Sequence, residues 1–76
     1  MNSVASYTAI IERDEEMFTS FCPELDIASQ GDTPEEAESN LKEAIELFLE
    51  CASEDEIIRR SHEVFKITQV QVSIPA

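Results

Sequence analysis

One long amphipathic helix is the feature that most constrains how this 76-residue sequence can fold. The segment TPEE (33–36) has the form of a helix start: a threonine N-cap, a proline at the first helical position and a glutamate three residues after the cap. Apolar residues then recur at helical spacing, at Ala37, Leu41, Ala44, Ile45, Phe48 and Ala52. We therefore predict one helix from Pro34 to about Ala52 that buries a single face.

Gly31 is the only glycine of the chain and stands two residues before the N-cap Thr33. Glycine adopts positive φ angles without steric cost. We predict that Gly31 has a positive φ, which lets the chain leave a strand and turn into a helix that packs back onto the sheet.

Three segments before the helix have the composition of β-strands. Residues 6–12 alternate and are β-branched and aromatic, and a charged turn at 13–16 separates them from a second strand at 17–22. Pro23 has no N–H to donate to a strand ladder, so it ends the second strand. A short third strand is predicted at 24–30.

The sequence after the main helix predicts two further elements. Residues 53–60 carry a second capping pattern and predict a short helix or a continuation of the main helix, while residues 63–74 predict a last strand with a bulge near 68–69. The expected fold is α+β in the order β-β-β-α-β, a small antiparallel-rich sheet with the main helix on one face. We expect a single domain over 1–76, without a DNA-binding domain.

Both faces of the predicted sheet carry apolar residues. Ile10 points to the opposite side from Ile11, and Phe18 to the opposite side from Met17 and Phe21. One helix covers one face only, and a solvated face is normally more polar than this. The sequence therefore predicts a second covering layer, supplied by another copy of the chain or by a partner.

The charge of the chain restricts the class of partner. Seventeen Asp and Glu residues face five Lys and Arg, which gives a formal net charge of -12. Such a chain repels nucleic acid and anionic membranes, whereas a basic protein is its electrostatic complement. The alternative is that the acidic surface serves only solubility.

The N-terminus lacks a secretory signal and a long apolar run, and Cys22 and Cys51 are the only cysteines. We expect a cytoplasmic protein with two free thiols. One glycine excludes a Gly-rich phosphate loop, and the single His62, which lies between an arginine pair and the last predicted strand, shows no Ser/His/Asp or Cys/His arrangement with a supporting local context. We therefore expect no catalytic, cofactor-binding or metal-binding residues, with a metal-dependent hydrolase as the least favoured alternative.

The segment CPELDIASQGDTPEEA (22–37), followed by NLKEAIELFLE (40–50), resembles the N-terminal domain of HicB-type antitoxins. The resemblance extends over 8–50. It implies a truncated ribonuclease-H-like fold that lacks the catalytic acids and a function in neutralising a small, basic, mRNA-cleaving HicA toxin. It also implies dimers or tetramers. Many members have a helix-turn-helix or ribbon-helix-helix that represses their own operon, which we do not expect here because the chain ends at Ala76. The family often has Asp-Gly-aromatic where this chain has Glu16-Met17-Phe18.

An antitoxin-like protein that binds and occludes a basic toxin is thus the expected function. The alternative is an orphan homo-oligomeric interaction module without a toxin partner. As contacts with the partner we predict the acids of the first turn and of the third-strand region, which are Asp14, Glu15, Glu16, Glu24 and Asp26.

Overall fold

The structure is a computed structural model that describes residues 5–75. It contains three strands followed by two helices, which are β1 (Ile10–Asp14), β2 (Met17–Cys22), β3 (Ile27–Gly31), α1 (Pro34–Cys51) and α2 (Glu54–Arg60). The predicted α+β class and the β-β-β-α order are confirmed.

The three strands form one antiparallel sheet in the order β1-β2-β3. Asp14 pairs with Met17, so the hairpin loop consists of Glu15 and Glu16 alone and is shorter than the predicted turn. Glu15 takes a φ of 57°, in the left-handed region that glycine favours. The chain therefore makes this tight turn without the glycine that is frequent in HicB-type sequences.

β1 begins four residues later than predicted, at Ile10. Phe21 is the partner of Ile10, and β2 ends one residue further on, at Cys22. Because Pro23 follows and has no N–H, the ladder does not continue along 6–9.

The predicted third strand is wrong at its start. Residues 23–26 form a turn, in which the Asp26 N–H donates to the Cys22 carbonyl over 2.8 Å. Asp26 has a φ of 58°, which is incompatible with a strand and is tolerated by aspartate. β3 consequently begins at Ile27.

α1 confirms the predicted helix and its cap. The Thr33 hydroxyl accepts the Glu36 N–H at 3.0 Å, and the Glu36 carboxylate accepts the Asp32 N–H at 3.2 Å. The helix lies across one face of the sheet, where the Ser20 hydroxyl donates to the Ala37 carbonyl over 2.8 Å. The buried core consists of Cys22, Leu25, Leu41 and Ile45, with Tyr7, Ile27, Phe48 and Leu49 packed around it.

Gly31 does not have the predicted positive φ. Its role is close approach between β3 and α1: a Cβ at this position would lie 2.6 Å from the Ala37 nitrogen and 2.8 Å from the Glu36 carbonyl carbon. Only a residue without a side chain fits under the first turn of α1. The glycine is thus required by packing and not by its backbone angle.

α2 is present as predicted, with Ser53 as its N-cap. The last strand is not formed: residues 61–75, which we call the tail, contain neither helix nor strand and are almost entirely exposed. No described strand lies beside the tail, so the tail has no ladder partner. Cys51 is exposed at the end of α1, and both cysteines are free. Neither α1 nor α2 combines the length and apolar character that a membrane-spanning helix needs.

Candidate partner-binding surface

The sheet face turned away from α1 is left uncovered by the described residues. Since Ser20 contacts α1, its neighbours in β2 point to the other side, together with their cross-strand partners. We call this surface the open sheet face, and its members are Ile10, Glu12, Asp14, Met17, Thr19, Phe21, Ala28 and Gln30. Ile10, Thr19 and Phe21 are half-buried, and the other five are exposed. The prediction that both faces of the sheet carry apolar residues is confirmed, although half of the members of the open sheet face are polar or charged.

One end of the open sheet face is strongly acidic. Asp14, Glu15 and Glu16 lie in and beside the β1–β2 loop, and we call them the acidic hairpin. They line a shallow pocket of about 490 Å³ together with Met17, Thr19 and Gln30, all three of which point to the open sheet face. The acids and the apolar face therefore form one continuous surface. All three carboxylates are exposed.

Arg13 does not neutralise the acidic hairpin. Its cross-strand partner is Phe18, which places its side chain on the α1 side of the sheet, and its Nε donates to the Glu15 carbonyl over 3.2 Å. This contact supports the backbone of the tight turn. Over residues 12–16, four acids and this one arginine give a net charge of -3.

The structure places Glu24 and Asp26 away from the acidic hairpin, in the turn between β2 and β3. Glu24 binds within its own chain: the Thr8 N–H donates to both carboxylate oxygens at 3.0 Å, and the Thr8 hydroxyl donates to Oε2 at 2.7 Å. The Asp26 side chain is exposed. The five predicted contact residues thus divide into two groups at opposite ends of β2.

The electrostatics around Glu24 favour its charged form. Partial burial raises the pKa of Glu24, but hydrogen bonds from the Thr8 hydroxyl, from the backbone N–H groups and from the Cys22 thiol outweigh it, so the pKa lies below its usual 4.5. Burial, with smaller contributions from Glu24, raises the pKa of the Cys22 thiol. Cys22 is therefore a protonated core residue that donates to Glu24 Oε1 over 3.5 Å.

We expect the stabilising effect of Glu24 to depend on pH. The pKa of Glu24 in the folded protein lies below the ordinary value of 4.5. The contact with Thr8 therefore contributes fully to folding stability above pH 4.5, and this contribution is lost as the pH falls through the lower pKa of the folded state. The wild type should be more stable than Glu24→Gln near neutral pH, and this advantage should shrink below about pH 4.5. Urea unfolding of both proteins between about pH 7 and pH 3 measures the difference between their free energies of unfolding. Glu43→Gln, at an exposed helix position, is the control. A stability difference between the wild type and Glu24→Gln that does not change with pH would contradict the assigned contact between Thr8 and the charged Glu24 carboxylate.

Arg60 is a structural residue that sequence reasoning missed. Its Nε donates to the Leu25 carbonyl at 3.1 Å, its NH2 nitrogen donates to the Asp26 carbonyl at 2.8 Å, and its guanidinium lies 5.1 Å from the centre of the Phe48 ring. These hydrogen bonds connect α2 to the turn at 23–26. No local pattern marks this arginine, because its partners lie 34 and 35 residues away along the chain.

In residues 5–75, no three His, Cys, Asp or Glu side chains converge in a way that could hold a metal ion. Ser20 donates to a helix carbonyl and Cys22 is buried, so neither is presented to a substrate.

Two curated proteins are similar to the chain, and both are named UPF0150 proteins. One, from Helicobacter pylori, is 39% identical over 66 residues, which cover 86% of this chain and 92% of that relative. The other, from Synechocystis, is 45% identical over 49 residues, which cover 62% of each protein. No protein-family model and no solved structure matches the chain.

Proposed function

The chain belongs to the UPF0150 family, and from this premise we propose that it is an antitoxin-like protein that binds and occludes a small, basic, RNA-cleaving toxin of the HicA type. The observation that carries the proposal is the acidic hairpin lying beside the open sheet face. The name UPF0150 states no activity. The toxin class is supported by the resemblance of residues 8–50 to HicB-type antitoxins.

The two parts of this surface have different physical roles. Apolar side chains such as Phe21, Ile10 and Met17 provide area whose removal from water drives association. The acidic hairpin raises the rate of encounter with a basic protein and disfavours acidic ones. A protein that occludes a basic ribonuclease needs both, because the toxin surface that attracts RNA phosphates is itself positively charged.

Direct titration tests the proposal. The purified chain is mixed with a HicA-type protein encoded by the same host, binding is followed by calorimetry, and cleavage of a model RNA is followed in parallel. We expect binding that weakens as salt increases, since exposed charges are screened. We also expect RNA cleavage to stop at equimolar antitoxin. Absence of binding at low salt to every basic HicA-type protein of the host would overturn the proposal.

Charge reversal of the hairpin provides the residue-level prediction. Glu15→Lys/Glu16→Lys should lower the association rate with the basic toxin at least about tenfold at low salt, because electrostatic steering contributes factors of this size. The control is Glu43→Lys/Glu50→Lys, which makes the same charge change at exposed positions of α1. Stopped-flow mixing measures both rates. Equal losses in the two variants would mean that net charge, and not the hairpin, determines binding.

A homo-oligomeric interaction module without a toxin is the second candidate function. The exposed apolar residues of the tail favour it, because such residues are normally covered in solution. Self-association and toxin binding do not exclude each other.

A further inference from the structure

The tail carries an exposed apolar pattern with no structural role in its own chain. Phe65, Val70, Val72 and Ile74 are 93%, 77%, 75% and 86% exposed. From residue 69 to residue 74, apolar and polar residues alternate strictly, which places Val70, Val72 and Ile74 on one side of an extended chain and Gln69 and Gln71 on the other. This pattern is that of a strand with one buried face.

An apolar groove lies between α1 and residues 5–9, the segment that leads into β1. Its apolar lining consists of Ala5, Tyr7, Ala9, Leu41, Ile45 and Leu49, and no residue of β1 itself lines it. Among the described residues β1 pairs with β2 alone, so its outer edge has backbone N–H and C=O groups that can accept another strand. The segment 5–14, which contains the groove residues 5–9 and β1, would extend roughly 33 Å, and the twelve residues 63–74 roughly 40 Å, at about 3.3 Å per residue.

The tail leaves its own body instead of filling this groove. It begins where the His62 N–H donates to the Glu24 carbonyl over 2.6 Å. The described chain measures 55 Å along its longest axis, whereas the 18 residues of α1 account for only about 27 Å. No residue of the tail lines the groove of its own chain, and the exposed apolar residues of the tail are available to a second molecule.

From these observations we propose that two copies of this chain exchange tails, each placing residues 63–74 along residues 5–14 of the other, so that part of the tail fills the groove between residues 5–9 and α1. Each tail then gains the backbone hydrogen bonds to a neighbouring strand that it lacks in its own chain. Each groove is covered by the tail of the other copy. The exchange is reciprocal, so one two-fold axis generates both contacts.

The lack of net charge on the tail favours it as the contact between two acidic molecules. Residues 63–75 contain one acid, Glu63, and one base, Lys66, so the tail has no net formal charge in a chain of net charge -12. Docking through the tail adds no net charge to a groove lined by Glu38, Lys42 and Glu46. It also leaves the open sheet face and the acidic hairpin free, so this inference does not depend on the proposed function.

Sedimentation equilibrium of the full chain is the first test. We expect a particle of twice 8.6 kDa. Salt should strengthen this dimer because it screens the repulsion between two acidic bodies, whereas it should weaken binding of a basic partner. A monomer at all concentrations and salt conditions would overturn the proposal and would leave toxin binding unaffected.

Two pairs of variants locate the contact. Val70→Lys/Val72→Lys should raise the dimer dissociation constant at least about 100-fold, because two buried apolar side chains are lost from each tail. Gln69→Lys/Gln71→Lys places the same charges on the other side of the same segment and should keep the dimer. A dimer that persists in the valine variant, or that dissociates equally in both variants, would overturn the exchange.

The receiving side is tested by Ala9→Lys, with Ala28→Lys as its control. Both alanines are exposed, Ala9 in the groove and Ala28 on the open sheet face. Ala9→Lys should dissociate the dimer and Ala28→Lys should not. The reverse result would place the dimer contact on the open sheet face. Circular dichroism of each variant checks that its body remains folded.

Discussion

Replacement of Leu41 by alanine is expected to remove most of the folding stability of this protein. Leu41 is 1% exposed and packs against Cys22, Leu25 and Ile45, where α1 crosses the sheet. Leucine-to-alanine changes at such sites cost about 2–5 kcal/mol, through lost burial and the cavity that remains. A single small core of this size supplies no more than about 3–5 kcal/mol in total. We therefore expect a population that is partly unfolded in water at 25 °C.

Urea unfolding followed by circular dichroism at 222 nm measures this effect. Leu47→Ala is the matched control, because Leu47 lies on the same helix and is 60% exposed. It should change the free energy of unfolding by less than about 0.5 kcal/mol, as surface substitutions usually do. If tail exchange adds stability, both variants must be compared at one protein concentration, since an oligomer is stabilised by mass action. Equal effects of the two substitutions would contradict the described core.

The elements that the sequence predicted well are those determined by local chemistry. The cap at Thr33, the proline at the first helical position and the apolar stripe act within a few turns of one helix, and α1 has nearly the predicted bounds. β2 was predicted to the residue because Pro23 ends it. The Ser53 cap of α2 is equally local.

The predictions that failed depend on contacts between distant parts of the chain. Residues 24–26 have strand-like neighbours, but the Asp26 N–H binds Cys22 and Arg60 binds the carbonyl groups of the turn from 34 and 35 residues away. The segment 63–74 has a strand-like sequence, yet a strand needs a partner, and the segment lies beside no strand of the described chain. Local composition does not show where that partner is.

The candidate binding surface was predicted in part. Alternating apolar residues in two strands were sufficient to predict an uncovered face, because side-chain direction in a strand follows from its period of two. The sequence alone did not show the partners of the side chains, so Glu24 was predicted as a partner contact in the third-strand region. The structure shows its carboxylate bound to Thr8 instead of pointing free into solvent. The predicted role of the acidic hairpin as a contact with a basic toxin stays a proposal.

Gly31→Ala is expected to destabilise the protein by about 1–3 kcal/mol, the usual cost of forcing an extra carbon into a well-packed contact. The direction of the effect is informative. Gly31 has no positive φ, so alanine can adopt its backbone conformation and on that ground alone should stabilise the chain by about 0.4–1 kcal/mol. Opposing this, the new Cβ would meet the Ala37 nitrogen at 2.6 Å and the Glu36 Cβ at 2.9 Å. The first of these is helix backbone, which cannot rotate away, so the steric cost should exceed the gain.

The displacement caused by this substitution should be local and measurable. To admit the Cβ, the first turn of α1 must move away from β3, which weakens the bond from the Asn40 side chain to the Gln30 carbonyl, 2.8 Å in the wild type. Amide hydrogen exchange should therefore increase at the start of α1 before it increases in β2. Gln30→Ala, at the exposed neighbouring position, keeps that carbonyl and should change stability by less than about 0.5 kcal/mol. A stabilised Gly31→Ala protein would mean that α1 can move off the sheet without cost, and close approach would then not explain why the only glycine of the chain stands at this position.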